Sequence, residues 1–69
     1  MKWQLGTVSW FDPKSGEGMI KSEEGKLFYV HYSAIDSDKK WKTLKEKKEV
    51  KFKAIDDDFA KHVIKVREL

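Results

Sequence analysis

The sequence predicts an all-β protein, a small barrel of five strands in a Greek-key arrangement. Five short segments rich in β-branched and aromatic residues are separated by turn-forming residues, which is typical of short strands. A long polar connection follows the third segment, and five such strands would leave exposed edges if the sheet stayed open. Closure into a barrel removes those edges. Residues 1–69 are therefore expected to form a single domain.

The first three strands are predicted to form an antiparallel meander because only short turns separate them. They cover Leu5–Phe11, Glu17–Lys21 and Leu27–His31. In the second strand the glycine at Gly18 indicates a bulge or the close approach of another backbone. A single helical turn over Ser33–Ile35 then directs its last residue inward.

The remainder of the chain predicts one long connection and two more strands. Residues 36–48 are polar and lysine-rich, with Leu44 as their apolar anchor; one or two helical turns over residues 43–48 are the alternative. Strands follow at Val50–Ile55 and His62–Val66. The residues expected to face inward on these strands are Val50, Phe52, Ala54, Ile64 and Val66.

Composition limits where and how the protein works. Cysteine is absent, so neither a disulfide nor a thiolate metal site can supplement the core. A secretory signal and an apolar run of about 18 residues are both lacking, so we expect a cytoplasmic protein without membrane association. The net charge is +3, and residues 36–53 hold eight lysines against four acidic residues. Such clustering indicates a polyanionic partner, although a solvated lysine-rich loop is the other interpretation.

The run Phe28–Tyr32 is the densest aromatic stretch of the chain. On a strand, Phe28 and Val30 point to one face, which suits a core, while Tyr29 and His31 point to the other. Rings exposed on a sheet surface stack unpaired bases, since every base has a π-face. The alternative is that these rings only cover the flank of a small barrel.

Nothing in the sequence predicts an enzyme. The two histidines, His31 and His62, have no paired nucleophile and no zinc-ligand spacing. The acidic run Asp56–Asp58 is interpreted as a solvated turn, and no helix start follows Gly16–Gly18 to make a phosphate loop. We therefore expect no cofactor, no metal and no small-molecule substrate.

Several of these segments together resemble the cold-shock protein family. The likeness runs from about Gly6 to Val66, and Val30–Ile35 is its most specific part. The matching residues are Trp10, Phe11, Gly16, Gly18, Ile20, Tyr29–Ile35, Lys42, Thr43 and Leu44. The resemblance implies a five-stranded antiparallel Greek-key OB-type barrel that binds single-stranded RNA or DNA on its second and third strands. It also implies a monomer without enzymatic activity or a cofactor.

Position by position, the resemblance implies an aromatic platform. Trp10 would end the first strand, Trp41 would cap the platform from a loop, and His62 would contact a base. Phe11 would be partly core and partly surface, and Met19 would touch a base through its thioether. The nucleic-acid-binding residues expected on this basis are Trp10, Phe11, Met19, Tyr29, His31, Tyr32, Lys39, Lys40, Trp41, Lys42 and His62.

The chain departs from the family pattern within the first ribonucleoprotein-like motif. Glu17 and Met19 stand where the family normally has phenylalanines, and Ser15 and Ser9 where lysines are common. A lost stacking ring costs about 1–3 kcal/mol per base, and a carboxylate repels phosphates. We therefore expect weaker or more selective binding, over roughly 3–5 nucleotides, by an RNA chaperone or a modulator of transcription or translation. The alternative is a degenerate cold-shock-like barrel whose aromatic face binds a protein partner.

Strict alternation creates two conflicts with this assignment. It places Val8 and Trp10 on one face, although the first suits the core and the second the platform; His62 and Ile64 pose the same problem. A bend or bulge in each strand, which small barrels require, would resolve them. Trp3 precedes the matching region and either closes the end of the barrel or forms a contact site.

Overall fold

The computed structural model describes residues 2–37, 43–57 and 59–69. Within these ranges five strands form a closed barrel in the order β1-β2-β3-β5-β4, in which β4 pairs back to β1. The strands are β1 (Gln4–Asp12), β2 (Glu17–Ser22), β3 (Leu27–His31), β4 (Glu49–Asp56) and β5 (Lys61–Glu68). The prediction of an all-β, five-stranded barrel is confirmed.

The sheet is mixed, which corrects the predicted antiparallel arrangement. β3 and β5 run parallel and pair at Tyr29 and His62, whereas the other neighbouring strands are antiparallel. The physical reason is the odd number of strands: a closed ring of five cannot have every neighbouring pair antiparallel. The parallel pair falls between β3 and β5 because β4 opposes β1 and β5 opposes β4. The Greek-key description stays a prediction.

The predicted elements differ from the observed ones only near their ends. β3 has the predicted bounds, and the other strands extend by one or two residues. A 3₁₀ turn over Tyr32–Ala34 is followed by the buried Ile35, as expected. The described part of the long connection, residues 43–48, contains a turn and no helix, and Leu44 is buried as predicted. In the described ranges, no helix has the length and apolarity needed to cross a membrane.

The core fills the inside of the barrel with apolar side chains from all five strands. The rings of Phe28 and Phe52 lie near each other, with centroids 5.4 Å apart and planes tilted by 57°, an arrangement that aromatic pairs favour. Gly18 and Ile20 face inward on β2, as predicted. The buried apolar residues are Val8, Phe11, Ile20, Phe28, Val30, Ala34, Ile35, Leu44, Val50, Phe52, Val63 and Val66.

A β-bulge in β1 resolves the first conflict. The pairing of β1 with β2 shifts between Val8 and Trp10, so Ser9 is an additional residue without a partner of its own. Val8 and Phe11 are consequently buried, while Trp10 is 44% exposed. The extra residue lets one strand supply both a core side chain and an outward ring.

A second bulge, in β5, shows that the inward assignment of Ile64 was wrong. Lys53 pairs with Lys65 but Ala54 pairs with Val63, which leaves Ile64 as the additional residue. Ile64 is therefore 44% exposed, and Val63 takes its place in the core. The two-residue alternation of a strand is broken at a bulge, so counting back from Val66 gave the wrong face.

An ion-pair cluster centred on Asp56 ties the turn before β3 to the adjoining ends of β4 and β5. The Nζ atom of Lys26 lies 3.0 Å from Oδ2 of Asp56, and that of Lys61 lies 3.6 Å from Oδ1. The hydrogen bond from Lys26 holds the pKa of Asp56 below its ordinary value. The same bond raises the pKa of Lys26.

We expect Asp56→Asn to lower the melting temperature at neutral pH by a small amount and to have no effect in acid. A carboxyl whose pKa is depressed by folding adds stability above its unfolded pKa of about 4, and loses it as pH falls through the folded value. The effect is small because all three side chains are partly exposed. Thermal unfolding followed by circular dichroism across pH 2–7 measures it, with Glu46→Gln as the matched control. A difference between wild type and variant that stays constant to pH 2 would contradict the expectation.

Candidate nucleic-acid interface

Four side chains form one transverse row on the outer wall of the barrel. The strand register pairs Trp10 with Met19, Met19 with Tyr29, and Tyr29 with His62. Residues paired across neighbouring strands point to the same face of a sheet. Trp10 is 44% exposed and Tyr29 39% exposed, and the other two are half-buried. This aromatic row, defined by Trp10, Met19, Tyr29 and His62, crosses β1, β2, β3 and β5.

The two bulges place the ends of the aromatic row. The additional Ser9 turns Trp10 outward, and the additional Ile64 allows Val63 to face the core and its neighbour His62 to face outward. Without either bulge, one end of the row would exchange places with a core residue. The outward position of both ends is thus a property of the closed barrel.

His31 and Tyr32 continue the aromatic surface beyond the row. Their ring centroids are 4.4 Å apart. The Nδ1 atom of His31 accepts a hydrogen bond from the backbone N–H of Ser33 at 3.3 Å and lies 2.9 Å from the Ser33 hydroxyl. Because a backbone N–H can only donate, the neutral imidazole carries its proton on Nε2. That N–H is left to donate to a base edge or a phosphate.

Tyr32 is held in place by the turn between β1 and β2. Its backbone N–H donates to the carbonyl oxygen of Gly16 at 2.8 Å. Gly16 has a φ of +73°, and a Cβ atom there would lie 2.5 Å from Cδ1 of the Tyr32 ring. Only glycine satisfies both the backbone conformation and the close contact.

Glu17 brings a negative charge to this aromatic surface. It pairs with His31 across β2 and β3, and its Oε1 atom accepts a hydrogen bond from the hydroxyl of Tyr29 at 3.1 Å. Partial desolvation, with the hydrogen bond and charge of Glu17, raises the pKa of Tyr29, so the phenol stays a donor at neutral pH. Within the described part of the chain, no cationic side chain forms an ion pair with Glu17.

The remaining predicted site residues fall into two groups. Phe11 packs in the core and is only 7% exposed, so the surface part of its predicted mixed role is small. The four residues of the lysine-rich connection, Lys39, Lys40, Trp41 and Lys42, lie outside the described residues. The residues that share the outer aromatic surface are Trp10, Met19, Tyr29, His31, Tyr32 and His62.

Phe59 is an exposed ring for which the sequence suggested no role. It is fully exposed in the turn between β4 and β5, three residues before His62. The Oδ1 atom of Asp57 accepts hydrogen bonds from the backbone N–H groups of Phe59 and Ala60, at 2.9 and 2.6 Å, which shape the turn. A single large apolar residue within an acidic turn was the available signal.

Comparison with known proteins adds sequence relatives to this geometry. The family model described as "'Cold-shock' DNA-binding domain" matches residues 4–69. The cold shock-like protein CspLB of Listeria monocytogenes is 38% identical over 66 residues, which cover 96% of this chain and 98% of that protein. The cold shock-like protein CspD of Bacillus cereus is 45% identical over 53 residues, covering 77% of this chain and 79% of the relative.

A solved structure provides an independent comparison of the fold. The structure titled "drosophila Unr CSD456" superposes with a TM-score of 0.76 at 20% sequence identity, covering 99% of this chain and 27% of that one. At this identity the likeness concerns the fold alone. The family assignment comes from the match over residues 4–69 and from the bacterial relatives. On this evidence the chain belongs to the family of cold-shock DNA-binding domains.

Proposed function

We propose that this protein binds single-stranded RNA or DNA by stacking unpaired bases on the aromatic row and on the neighbouring rings of His31 and Tyr32. The observation that carries the proposal is the register that aligns Trp10, Met19, Tyr29 and His62 across four strands. Stacking of a base on a protein ring contributes about 1–3 kcal/mol and tolerates any base. Membership of the cold-shock family supports the same ligand class.

Binding to this surface is weaker than the family pattern implies. Met19 occupies the second position of the row and cannot stack as a ring does, although its thioether can pack against a base. Glu17 sets a carboxylate beside the row, where it repels phosphates. The site then holds roughly 3–5 nucleotides, near the lower limit for this fold.

Glu17 also makes the binding selective for bases that carry amino groups. An ionised carboxylate accepts hydrogen bonds and cannot donate them, and only one oxygen of Glu17 is bonded to Tyr29. Cytosine presents an amino group where thymine and uracil present a carbonyl oxygen, and glutamate pairs well with that amino group. We therefore expect cytosine-containing strands to bind more tightly than thymine-containing ones.

Loose binding of short unpaired stretches suits an RNA chaperone or a modulator of transcription or translation. Such a protein must hold single strands briefly and release them. Lysines near the aromatic surface add a salt-dependent contribution through contacts to phosphates. We place this activity in the cytoplasm and assign it to the monomer.

Trp10→Ala is expected to weaken binding of a hexanucleotide about 5- to 150-fold, because it removes one stacked base worth about 1–3 kcal/mol. Fluorescence anisotropy of labelled oligocytidine and oligothymidine hexamers measures the change. Trp3→Ala is the matched control, since Trp3 lies outside the aromatic row. Equal affinities for wild type and Trp10→Ala would refute stacking on the row. If the folded wild type binds neither hexamer at low salt, the aromatic face is left to a protein partner.

A further inference from the structure

A second cationic surface lies on the wall of the barrel around β4. The register of β4 and β5 pairs Lys51 with Arg67 and Lys53 with Lys65. Like charges directly opposite each other on antiparallel strands repel, and here two such pairs follow one another on the outer face. Within the described ranges, the only ion pair found for any of these four side chains joins Arg67 to Asp36, at 3.1 Å.

Trp3 lies against the same surface. The Nζ atoms of Lys51 and Lys53 are 5.0 and 4.8 Å from the centre of its ring, within cation–π range. The indole is nevertheless 39% exposed. Leu5, which pairs with Lys51 across β1 and β4, is exposed beside it. An accessible ring surrounded by ammonium groups offers the two contacts that single-stranded nucleic acids use, stacking and charge.

This basic wall, defined by Trp3, Lys51, Lys53 and Lys65, is separate from the aromatic row. The row crosses β1, β2, β3 and β5, whereas the wall is centred on β4, which the row does not reach. Trp3 and Trp10 stand near opposite ends of β1, on the order of 20 Å apart for an extended strand. A strand of three to five nucleotides seated on the row would leave the wall free.

We propose that the basic wall is a second contact surface for single-stranded nucleic acid, engaging the phosphates of strands that extend beyond the aromatic row. Charge complementarity favours a polyanion, because each bound phosphate neutralises cations that repel one another in the free protein. The inference takes its ligand class from the proposed function. Binding at the wall does not itself require stacking on Trp10.

Matched double variants and two oligonucleotide lengths test the proposal. Lys53→Gln/Lys65→Gln removes two wall charges, and Lys45→Gln/Lys48→Gln removes two exposed charges from the connection before β4. For a 16-nucleotide oligothymidine, the wall variant should bind about tenfold more weakly than the control variant. Its plot of log affinity against log salt should be shallower by about 1.4, or about 0.7 for each lost phosphate contact on a single strand. Both variants should bind the hexamer alike.

Thermal unfolding supplies a second readout for the wall. The wall variant should melt at a higher temperature than wild type, since it removes a repulsive cross-strand pair. Trp3→Leu should weaken binding of the 16-mer and leave the hexamer unchanged. Equal loss of 16-mer affinity in the wall and control variants would overturn the proposal.

The outcomes separate this inference from the proposed function. If Trp10→Ala leaves hexamer binding intact while the wall variant still loses the 16-mer, the row fails and the wall stands. If Trp10→Ala weakens the hexamer and the wall variant matches its control, the row stands and the wall fails. Sedimentation with phosphatidylserine vesicles tests a membrane surface as the occupant. Loss of vesicle binding in the wall variant with an unchanged 16-mer affinity would overturn the assignment to nucleic acid.

Discussion

Glu17→Phe is expected to bind an oligothymidine hexamer about 5- to 150-fold more tightly than the wild-type chain, the range that one additional stacked base provides. Glu17 pairs with His31 and lies beside Tyr29, so the new ring would join the existing aromatic surface. The substitution also removes a carboxylate that has no cationic partner in the described ranges. It frees the hydroxyl of Tyr29 to donate to a base. Anisotropy of the labelled hexamer at low and high salt measures the gain.

Glu17→Gln separates the effect of the ring from that of the charge. It removes the negative charge without adding a ring, so its gain should be smaller than that of Glu17→Phe and should fade as salt screens the phosphates. Oligocytidine should gain less than oligothymidine from Glu17→Phe, because the acceptor for the cytosine amino group is lost. A Glu17→Phe variant that binds oligothymidine no better than Glu17→Gln would contradict the proposed stacking surface.

Local sequence patterns were sufficient to predict the strands and most of the faces. The alternation Phe28–His31 placed Tyr29 and His31 outside and Phe28 and Val30 inside, and the structure has the same arrangement. Leu44 could be predicted as an anchor because it is an isolated apolar residue in a polar connection. Side-chain period and composition act over a few residues, which is why these features are visible in a sequence.

Features that depend on strand pairing could not be predicted in this way. The core position of Val63 in place of Ile64 follows from a bulge, and an additional residue has no consistent local signature. The hydrogen bond between Tyr29 and Glu17 depends on the register of β2 against β3. The opposed lysines Lys53 and Lys65 likewise meet only through the register of β4 and β5, so the basic wall was not foreseen.

Gly18→Ala is expected to destroy most of the folded population at 25 °C. A Cβ atom at Gly18 would lie 2.4 Å from the carbonyl oxygen of Trp10 and 2.8 Å from Cδ1 of Phe11. The first of these is a backbone atom next to the β1 bulge, so it cannot move away without disturbing the pairing of β1 and β2. Overpacking of this severity costs about 3 kcal/mol or more. A single core in a domain of this size supplies only about 3–5 kcal/mol.

Gly25→Ala is the control that isolates the clash at Gly18. Gly25 has a φ of +88° and no atom within 4 Å of an added Cβ, so alanine there incurs only the left-handed backbone penalty of about 1–2 kcal/mol. Urea unfolding followed by circular dichroism should therefore show Gly18→Ala to be much less stable than Gly25→Ala. Because Gly18 contacts the backbone of Trp10, any folded Gly18→Ala protein should also bind hexanucleotides more weakly, whereas folded Gly25→Ala should bind like wild type. Equal stability of the two variants would show that β1 can move away from β2 at little cost, and that Trp10 is held outward by other contacts.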